Sequence, residues 1–263
     1  MSHETLLVDE ADGVVTVTLN RPDKLNAVTS RMLEDLAAVL DRVEREDSLR
    51  CLVITGAGKG FCAGQDLNDR MSGEGDSRPD LGKTVGEGYN PVLTRLYHLP
   101  VPTIAAVNGT AAGAGANMAL ACDLVYAAES AKFVQVYANL GLVPDAGGTF
   151  ILPRLVGMAR AKEMAFTARP VRADEALSIG MIAGVEPDGA LMQEVSALAR
   201  KMAKSPTMGF ALTKDAFHKS FSNSLEDQLA LERDYMQKAG FSDDYAEGVK
   251  AFLEKRKPVF KGH

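Results

Sequence analysis

The sequence predicts an α/β fold, in which strands and helices alternate along the chain. Three observations support this prediction: short apolar runs typical of buried strands, segments with apolar residues at helical spacing, and glycine-rich turns directly after two of the runs. The chain has 263 residues, of which 46% are hydrophobic and 24% charged, so it can bury a substantial core. We divide it into a core of alternating elements, residues 1–200, and a helical C-terminal region, residues 201–263.

The first predicted elements are a β-hairpin and a long helix. Residues 6–19 alternate apolar and polar side chains around a turn at residues 12–13, which is typical of two antiparallel strands. Thr29 or Ser30 can cap a helix that runs to about Glu46, because apolar residues recur there at helical spacing.

The middle of the chain alternates short strands with helices. Apolar runs predict further strands at residues 51–55, 102–107, 123–127 and 132–134. Helical spacing predicts short helices around residues 92–96, 117–121 and 149–155. Residues 68–86 are polar and glycine-rich, so we expect a mobile loop that covers a site.

The last third is predicted to be mostly helical. Residues that can cap helices lie at 205–207, 222–224 and 242–244. The apolar residues between them form amphipathic faces, which can pack on the same subunit or on a neighbouring one.

Charge and composition exclude several classes of partner. The net charge of −6 argues against a nucleic-acid-binding protein, so an anionic ligand needs a local group of basic side chains. The candidates are Arg21, Lys24, Lys59, Lys255, Arg256, Lys257 and Lys261. The N-terminus shows no secretory signal, and polar residues interrupt the small-residue stretch 111–128, which argues against a membrane span. We therefore expect a cytoplasmic protein.

Cysteine and histidine give no sign of a disulfide framework or a metal site. The three cysteines form no C-x-x-C pair, which suits a reducing compartment. Cys62 can be a reactive thiol, whereas Cys51 and Cys122 lie in apolar runs and fit small buried side chains. The four histidines are scattered along the chain, so we expect no metal.

One carboxylate, Asp145, follows two turns made of small residues. The turns are residues 61–67 and 108–117, and each follows an apolar run that predicts a buried strand. Glycine and alanine let a backbone approach a ligand closely and direct its N–H groups at a developing oxyanion. We therefore expect proton chemistry beside a carbonyl, with Asp145 as the base. The alternative is that Asp145 caps the helix that follows it.

The order, the spacing and the amino-acid residues of these segments resemble those of the crotonase superfamily, also called the enoyl-CoA hydratase/isomerase family. The resemblance extends over essentially the whole chain and includes residues 19–22, 25–27, 106–109 and 152–157. It implies a spiral of ββα repeats and a C-terminal helical region that assembles the subunits into trimers or dimers of trimers. It also implies an acyl-CoA thioester substrate, with no cofactor beyond the coenzyme A moiety of that substrate.

The resemblance also implies roles for particular residues. The backbone N–H groups of Gln65 and Ala114 correspond to the oxyanion hole of the family. Asp145 lies where several isomerases of the family carry a lone aspartate. The residues that correspond to the binding site for the coenzyme A thioester are Lys24, Leu25, Ala27, Ala63, Gln65, Asp66, Leu67, Gly113 and Tyr137.

The chain departs from the hydratase pattern at two positions. Family hydratases use two glutamates, and the corresponding residues here are Asn117 and Tyr137. Neither side chain can accept and return a proton, as a glutamate does, for the addition of water at neutral pH. The resemblance therefore implies an isomerase, which moves a double bond of an unsaturated acyl-CoA or opens a ring epoxide.

Three other functions on the same scaffold are alternatives. Asp145 can act as a nucleophile in the hydrolysis of an aryl- or enoyl-CoA, as in family dehalogenases. Those enzymes support the aspartate with a tryptophan at the position of Tyr137, and this chain has no tryptophan. A hydratase, and an acyl-CoA-binding protein without catalysis, are the other two.

Overall fold

A computed structural model gives the fold of the protein and describes residues 4–71 and 80–263. It confirms the predicted α/β class. Within these residues the strands form a six-stranded and a four-stranded sheet. The strands are β1 Leu6–Ala11, β2 Val14–Leu19, β3 Cys51–Gly56, β4 Gly60–Cys62, β5 Thr103–Val107, β6 Thr110–Ala112, β7 Leu124–Ala128, β8 Lys132–Val134, β9 Val171–Arg172 and β10 Gly184–Glu186.

The larger sheet has the strand order β1-β2-β3-β5-β7-β10. β1 and β2 pair in antiparallel fashion, with Leu6 opposite Leu19, which confirms the predicted hairpin. The other neighbours pair in parallel. Every residue of β3 and β5 is buried. Because a parallel sheet is covered on both faces, such strands have the unbroken apolar runs that predicted them.

The smaller sheet has the strand order β4-β6-β8-β9, with β4, β6 and β8 parallel and β9 antiparallel to β8. Each of β4, β6 and β8 follows a strand of the larger sheet within a few residues, and a helical segment comes after it. The chain therefore repeats a ββα unit, as the resemblance implied. The turns after β4 and β6 lie at the same edge of the smaller sheet. They are parts of the two predicted small-residue turns, residues 61–67 and 108–117, which also contain residues of β4 and β6.

Helices cover much of the remaining described chain. The α-helices are α1 Ser30–Arg45, α2 Leu67–Met71, α3 Leu81–Lys83, α4 Asn90–His98, α5 Ala114–Leu120, α6 Gly148–Val156, α7 Met158–Thr167, α8 Ala173–Ser178, α9 Leu191–Ala203, α10 Thr207–Ser220, α11 Leu225–Gly240 and α12 Asp243–Leu253. The described residues also include 3-10 helices at Pro22–Lys24 and Val136–Leu140 and a π-helix at Thr84–Tyr89. Three predicted caps are confirmed, because side-chain oxygens accept N–H bonds at the starts of α1, α11 and α12; these caps are Thr29, Ser224 and Ser242.

The predicted loop over residues 68–86 is in part wrong. Helices α2 and α3 and the π-helix occupy most of its described residues. One cause is local capping, because the Asp80 carboxylate accepts a hydrogen bond from the Lys83 N–H at 3.0 Å and so begins α3. The part of the predicted loop at residues 72–79 lies outside the described residues.

The predicted C-terminal region contains the end of α9 and the helices α10, α11 and α12. The helix α9 packs on the larger sheet, and the predicted division at residue 200, which falls inside α9, stays a prediction. Lys214 fastens α10 to the core, because its ammonium binds the Asp123 carboxylate at 2.6 Å and the carbonyl oxygens of Leu99 and Val101. No helix in the described part of the chain is long and apolar enough to cross a membrane.

Candidate active site

The two small-residue turns come together at Gly64 and Gly113. Both glycines have positive φ angles, +91° and +51°, which residues with a side chain rarely adopt. A β-carbon at Gly64 would lie 2.9 Å from the oxygen of Ala112 and 3.6 Å from the nitrogen of Ala114. The turns are therefore packed backbone against backbone. The unusual dihedral angles of Gly113 also let α5 begin at Ala114, earlier than predicted.

The fold leaves the N–H groups of Gln65 and Ala114 unused. Val28 donates its N–H to the oxygen of Gly64 at 2.7 Å, and its own oxygen accepts the N–H of Asp66 at 2.8 Å. This parallel bridge turns the Gln65 N–H to the opposite side. Ala114 is the first residue of α5, so its N–H has no partner within the helix. Within the described part of the chain neither group donates to a protein acceptor, and two such donors can bind an oxyanion.

Asp145 is half-buried and lies beside the second turn. Its Oδ1 accepts a hydrogen bond from the Tyr137 hydroxyl at 2.6 Å. A β-carbon at Gly113 would lie 3.8 Å from that same hydroxyl oxygen, so the carboxylate is close to the turn. The alternative that Asp145 caps the next helix is wrong, because the N-cap of α6 is Gly147 and the carboxylate binds Tyr137.

Asn117 and Gln135 complete a buried network behind Asp145. The side-chain amide of Asn117 donates to the Tyr137 hydroxyl at 3.1 Å and to the main-chain oxygen of Asp145 at 2.8 Å. Its Oδ1 accepts a hydrogen bond from Nε2 of Gln135 at 2.8 Å. The sequence interpretation missed Gln135, although a polar residue inside the apolar run 133–136 is a signal that could have revealed it.

Tyr137 keeps its proton in this environment. Its side chain is buried, with 6% of the residue exposed. Burial, and then the negative charge and hydrogen bond of Asp145, raise the pKa of the Tyr137 phenol. A phenol that stays protonated can donate a hydrogen bond to the carboxylate, and it does not serve as a general base near neutral pH.

The predicted coenzyme A segments also lie together. The N–H of Ala63 donates to the oxygen of Leu25 at 2.9 Å, so the chain around Lys24, Leu25 and Ala27 runs beside the first turn. Leu25 and Leu67 are about half exposed, at 47% and 50%, and Lys24 is exposed as well. An open apolar surface beside a basic side chain fits a ligand that carries both an adenine ring and phosphates.

The side chain of Asp66 is engaged inside the fold. Its carboxylate accepts hydrogen bonds from the Arg21 guanidinium at 2.9 Å, from the Asn68 N–H at 3.0 Å and from the Asp69 N–H. Burial alone would raise the pKa of Asp66, but the Arg21 and N–H bonds outweigh it and hold that pKa below its usual range. The Asp66 carboxylate and the Arg21 guanidinium are therefore both occupied within the fold, and a contact between Asp66 and coenzyme A stays a prediction.

The three cysteines are buried and unpaired. Burial raises the pKa of each thiol to about 12, which argues against Cys62 as a reactive thiol because the thiolate is the nucleophile. Among the residues the structure describes, no three His, Cys, Asp or Glu side chains are grouped to hold a metal ion. The expectation that the reaction needs no metal stays a prediction.

We expect the native protein to resist thiol reagents at pH 8. A thiol with a pKa of about 12 is a thiolate in roughly one molecule in ten thousand at that pH, and burial also blocks the reagent. Labelling counted by mass should therefore be negligible in the native protein and complete at all three cysteines in guanidinium. Rapid native modification of Cys62 would contradict this.

The ββα spiral and the paired turns define a known class of enzyme. A sequence profile of the enoyl-CoA hydratase/isomerase family matches residues 9–263. The chain belongs to this family, the crotonase superfamily, whose members act on acyl-CoA thioesters. The sequence expectation of the family and of its fold is therefore confirmed.

Individual relatives cover nearly the whole chain. It is 51% identical to the 1,2-epoxyphenylacetyl-CoA isomerase of Escherichia coli K12, over 98% of this chain and 99% of that protein. It is 46% identical to a protein of Rhodobacter capsulatus described as a "probable enoyl-CoA hydratase", over 100% of both. A crystal structure of an enoyl-CoA hydratase from Bacillus anthracis matches with a TM-score of 0.92 at 34% identity, and covers 99% of this chain and 100% of that one. The relatives thus include both isomerases and hydratases.

Proposed function

We propose that this protein is an acyl-CoA isomerase in which Asp145 is the single catalytic base and the N–H groups of Gln65 and Ala114 form the oxyanion hole. The proposed main reaction converts 1,2-epoxyphenylacetyl-CoA to oxepin-CoA in phenylacetate catabolism. A second activity interconverts cis-3- and trans-2-enoyl-CoA. All of these reactions rearrange bonds and leave the mass of the thioester unchanged.

The enoyl-CoA reaction shows how the site would work. The Asp145 carboxylate removes a proton from the carbon next to the thioester carbonyl, and the electron pair of that C–H bond moves onto the carbonyl oxygen. The N–H groups of Gln65 and Ala114 stabilise the resulting enolate. Asp145 then returns the same proton two carbons further along, and the enolate electrons form the new double bond.

One observation carries the proposal: the Asp145 carboxylate is held by the Tyr137 hydroxyl at 2.6 Å beside the turn that offers the Ala114 N–H. A carboxylate that can take up a proton thus lies next to an N–H group that can bind a carbonyl oxygen. Hydration needs proton transfer to and from water, and the positions matched to the hydratase glutamates hold an amide, Asn117, and a protonated phenol, Tyr137.

The choice of the epoxide substrate rests on similarity. The isomerase of Escherichia coli with 51% identity acts, by its name, on 1,2-epoxyphenylacetyl-CoA. The hydratase name of the relative with 46% identity points the other way. The site chemistry described above favours the isomerase.

A panel of three thioesters tests the proposal. We expect 1,2-epoxyphenylacetyl-CoA and a cis-3-enoyl-CoA to be converted at constant mass, with a change in ultraviolet absorbance. We expect trans-2-enoyl-CoA to gain no water. A hydrated product at a comparable rate would overturn the isomerase assignment in favour of a hydratase, and release of free coenzyme A would overturn it in favour of a hydrolase.

The subunits are proposed to assemble into trimers or dimers of trimers in the cytoplasm. Large apolar side chains of the C-terminal region lie between 63% and 85% exposed, and such surfaces are typical of subunit contacts. They are Phe217, Phe221, Met236, Phe241 and Phe252. Unpaired thiols support a reducing compartment.

A further inference from the structure

Asn117 and Tyr137 do more than replace two acids. We infer that they are positioning residues for Asp145, and that they orient its carboxylate and keep it in the anionic form that accepts a proton. This inference rests on the proposed function, because it assigns a role in the use of Asp145 as a base.

The main-chain oxygen of Asp145 determines which group donates in each hydrogen bond among Gln135, Asn117 and Tyr137. The main-chain oxygen of Asp145 can only accept, so the amide nitrogen of Asn117 must face it, at 2.8 Å. The Oδ1 of Asn117 therefore faces Gln135, which must donate through Nε2, at 2.8 Å. The orientation of both amides is thus determined by their partners.

The same logic assigns the proton of Tyr137. The second hydrogen of the Asn117 amide points at the Tyr137 hydroxyl oxygen, at 3.1 Å, so that oxygen acts as an acceptor there. The hydroxyl proton is then available for Oδ1 of Asp145, at 2.6 Å. The chain of donors runs from Gln135 through Asn117 and Tyr137 and ends on the carboxylate. A donor directed at a carboxylate favours its charged form.

Packing leaves this network little freedom. Asn117 is completely buried, and Gln135 is 2% exposed. A β-carbon at Gly148 would lie 2.3 Å from Nδ2 of Asn117, so the first turn of α6 closes directly over the amide. Because the Asn117 amide cannot turn away, it always donates a hydrogen bond to the Tyr137 hydroxyl oxygen. The Tyr137 hydroxyl is thereby kept in place as the donor to the Asp145 carboxylate. A rigid base loses less entropy when it reaches the transition state.

Tyr137→Phe tests the inference, because it removes the hydroxyl and keeps the ring that packs against the turn. We expect kcat of isomerisation to fall about 10-fold to 100-fold, the range for loss of a hydrogen bond to a charged group. KM should change less than about twofold. Without the donor the anion is less favoured, so the acid limb of the pH profile of kcat should move to higher pH.

A fluorinated tyrosine at position 137 provides a variant of nearly native shape. Its hydroxyl is more acidic and donates a stronger hydrogen bond, so the acid limb should move to lower pH, opposite to Tyr137→Phe. A merely structural role for Tyr137 would give no such pair of opposite shifts. If both variants keep the native kcat and the native acid limb, the inference is overturned.

Two further variants show whether a negative result contradicts the positioning role or the proposed function. Tyr126→Phe is the matched control, because the Tyr126 hydroxyl makes no hydrogen bond among the described residues and lies in β7 outside the network; its kcat and pH profile should equal those of the native protein. Asp145→Asn tests the base itself. Full activity of Asp145→Asn would overturn the proposed function, whereas an inactive Asp145→Asn with an unaltered Tyr137→Phe would overturn only the positioning role.

Discussion

Asp145→Asn is expected to lower kcat of isomerisation by about 10²- to 10⁴-fold, the usual contribution of a general base. Asparagine has nearly the shape of aspartate, and its oxygen can still accept the Tyr137 hydrogen bond that the carboxylate accepts at 2.6 Å. It cannot, however, take up a proton from carbon. The substitution therefore removes the chemistry and leaves the geometry of the site in place.

The measurement separates turnover from binding. Isomerase turnover is followed by ultraviolet absorbance, and binding of a coenzyme A thioester is measured by calorimetry, where the dissociation constant should change less than about twofold. Asp9→Asn, at an exposed position of β1, is the matched control and should behave like the native protein. If Asp145→Asn keeps its turnover within about tenfold while binding is normal, Asp145 is not the base.

The strands and most helices could be predicted because each has a local cause. The strand predicted at residues 102–107 is Thr103–Val107, and the one predicted at 123–127 is Leu124–Ala128. Both lie inside a parallel sheet, where burial on two faces produces an apolar run that is visible in the sequence. The loop predicted at residues 68–86 is in part wrong because a glycine-rich composition does not reveal local caps such as Asp80, which begins α3.

Some parts of the candidate site could likewise be predicted from the sequence, and others could not. The two turns could be predicted, because two backbone segments that approach closely leave no room for a β-carbon and so require glycine, which is visible in the sequence. The role of Asp145 could not be decided locally, since an aspartate before Ala-Gly-Gly fits both a cap and a base. Its contact with Tyr137, in a separate element, argues against the cap, and its role as the base stays a prediction. The engagement of Asp66 by Arg21 spans 45 residues and has no local signature at all.

Ala114→Pro is expected to lower kcat/KM of isomerisation by about 10²- to 10³-fold, the effect of removing one oxyanion donor. Ala114 is the first residue of α5, the helical position where proline is best tolerated, because the N–H there has no partner in the helix. The preceding Gly113 has no β-carbon to collide with the proline ring. The change therefore removes one N–H group from the site with little effect on the fold.

Asp243→Pro is the matched control, since Asp243 is the first residue of α12 and its N–H is likewise not donated to a protein acceptor in the described chain. Both variants should melt within a few degrees of the native protein, but only Ala114→Pro should lose activity. The ring carbon of proline also occupies the space that an oxyanion would fill, so kcat/KM is the quantity to compare. Activity of Ala114→Pro within about tenfold of native would exclude the Ala114 N–H from the oxyanion hole.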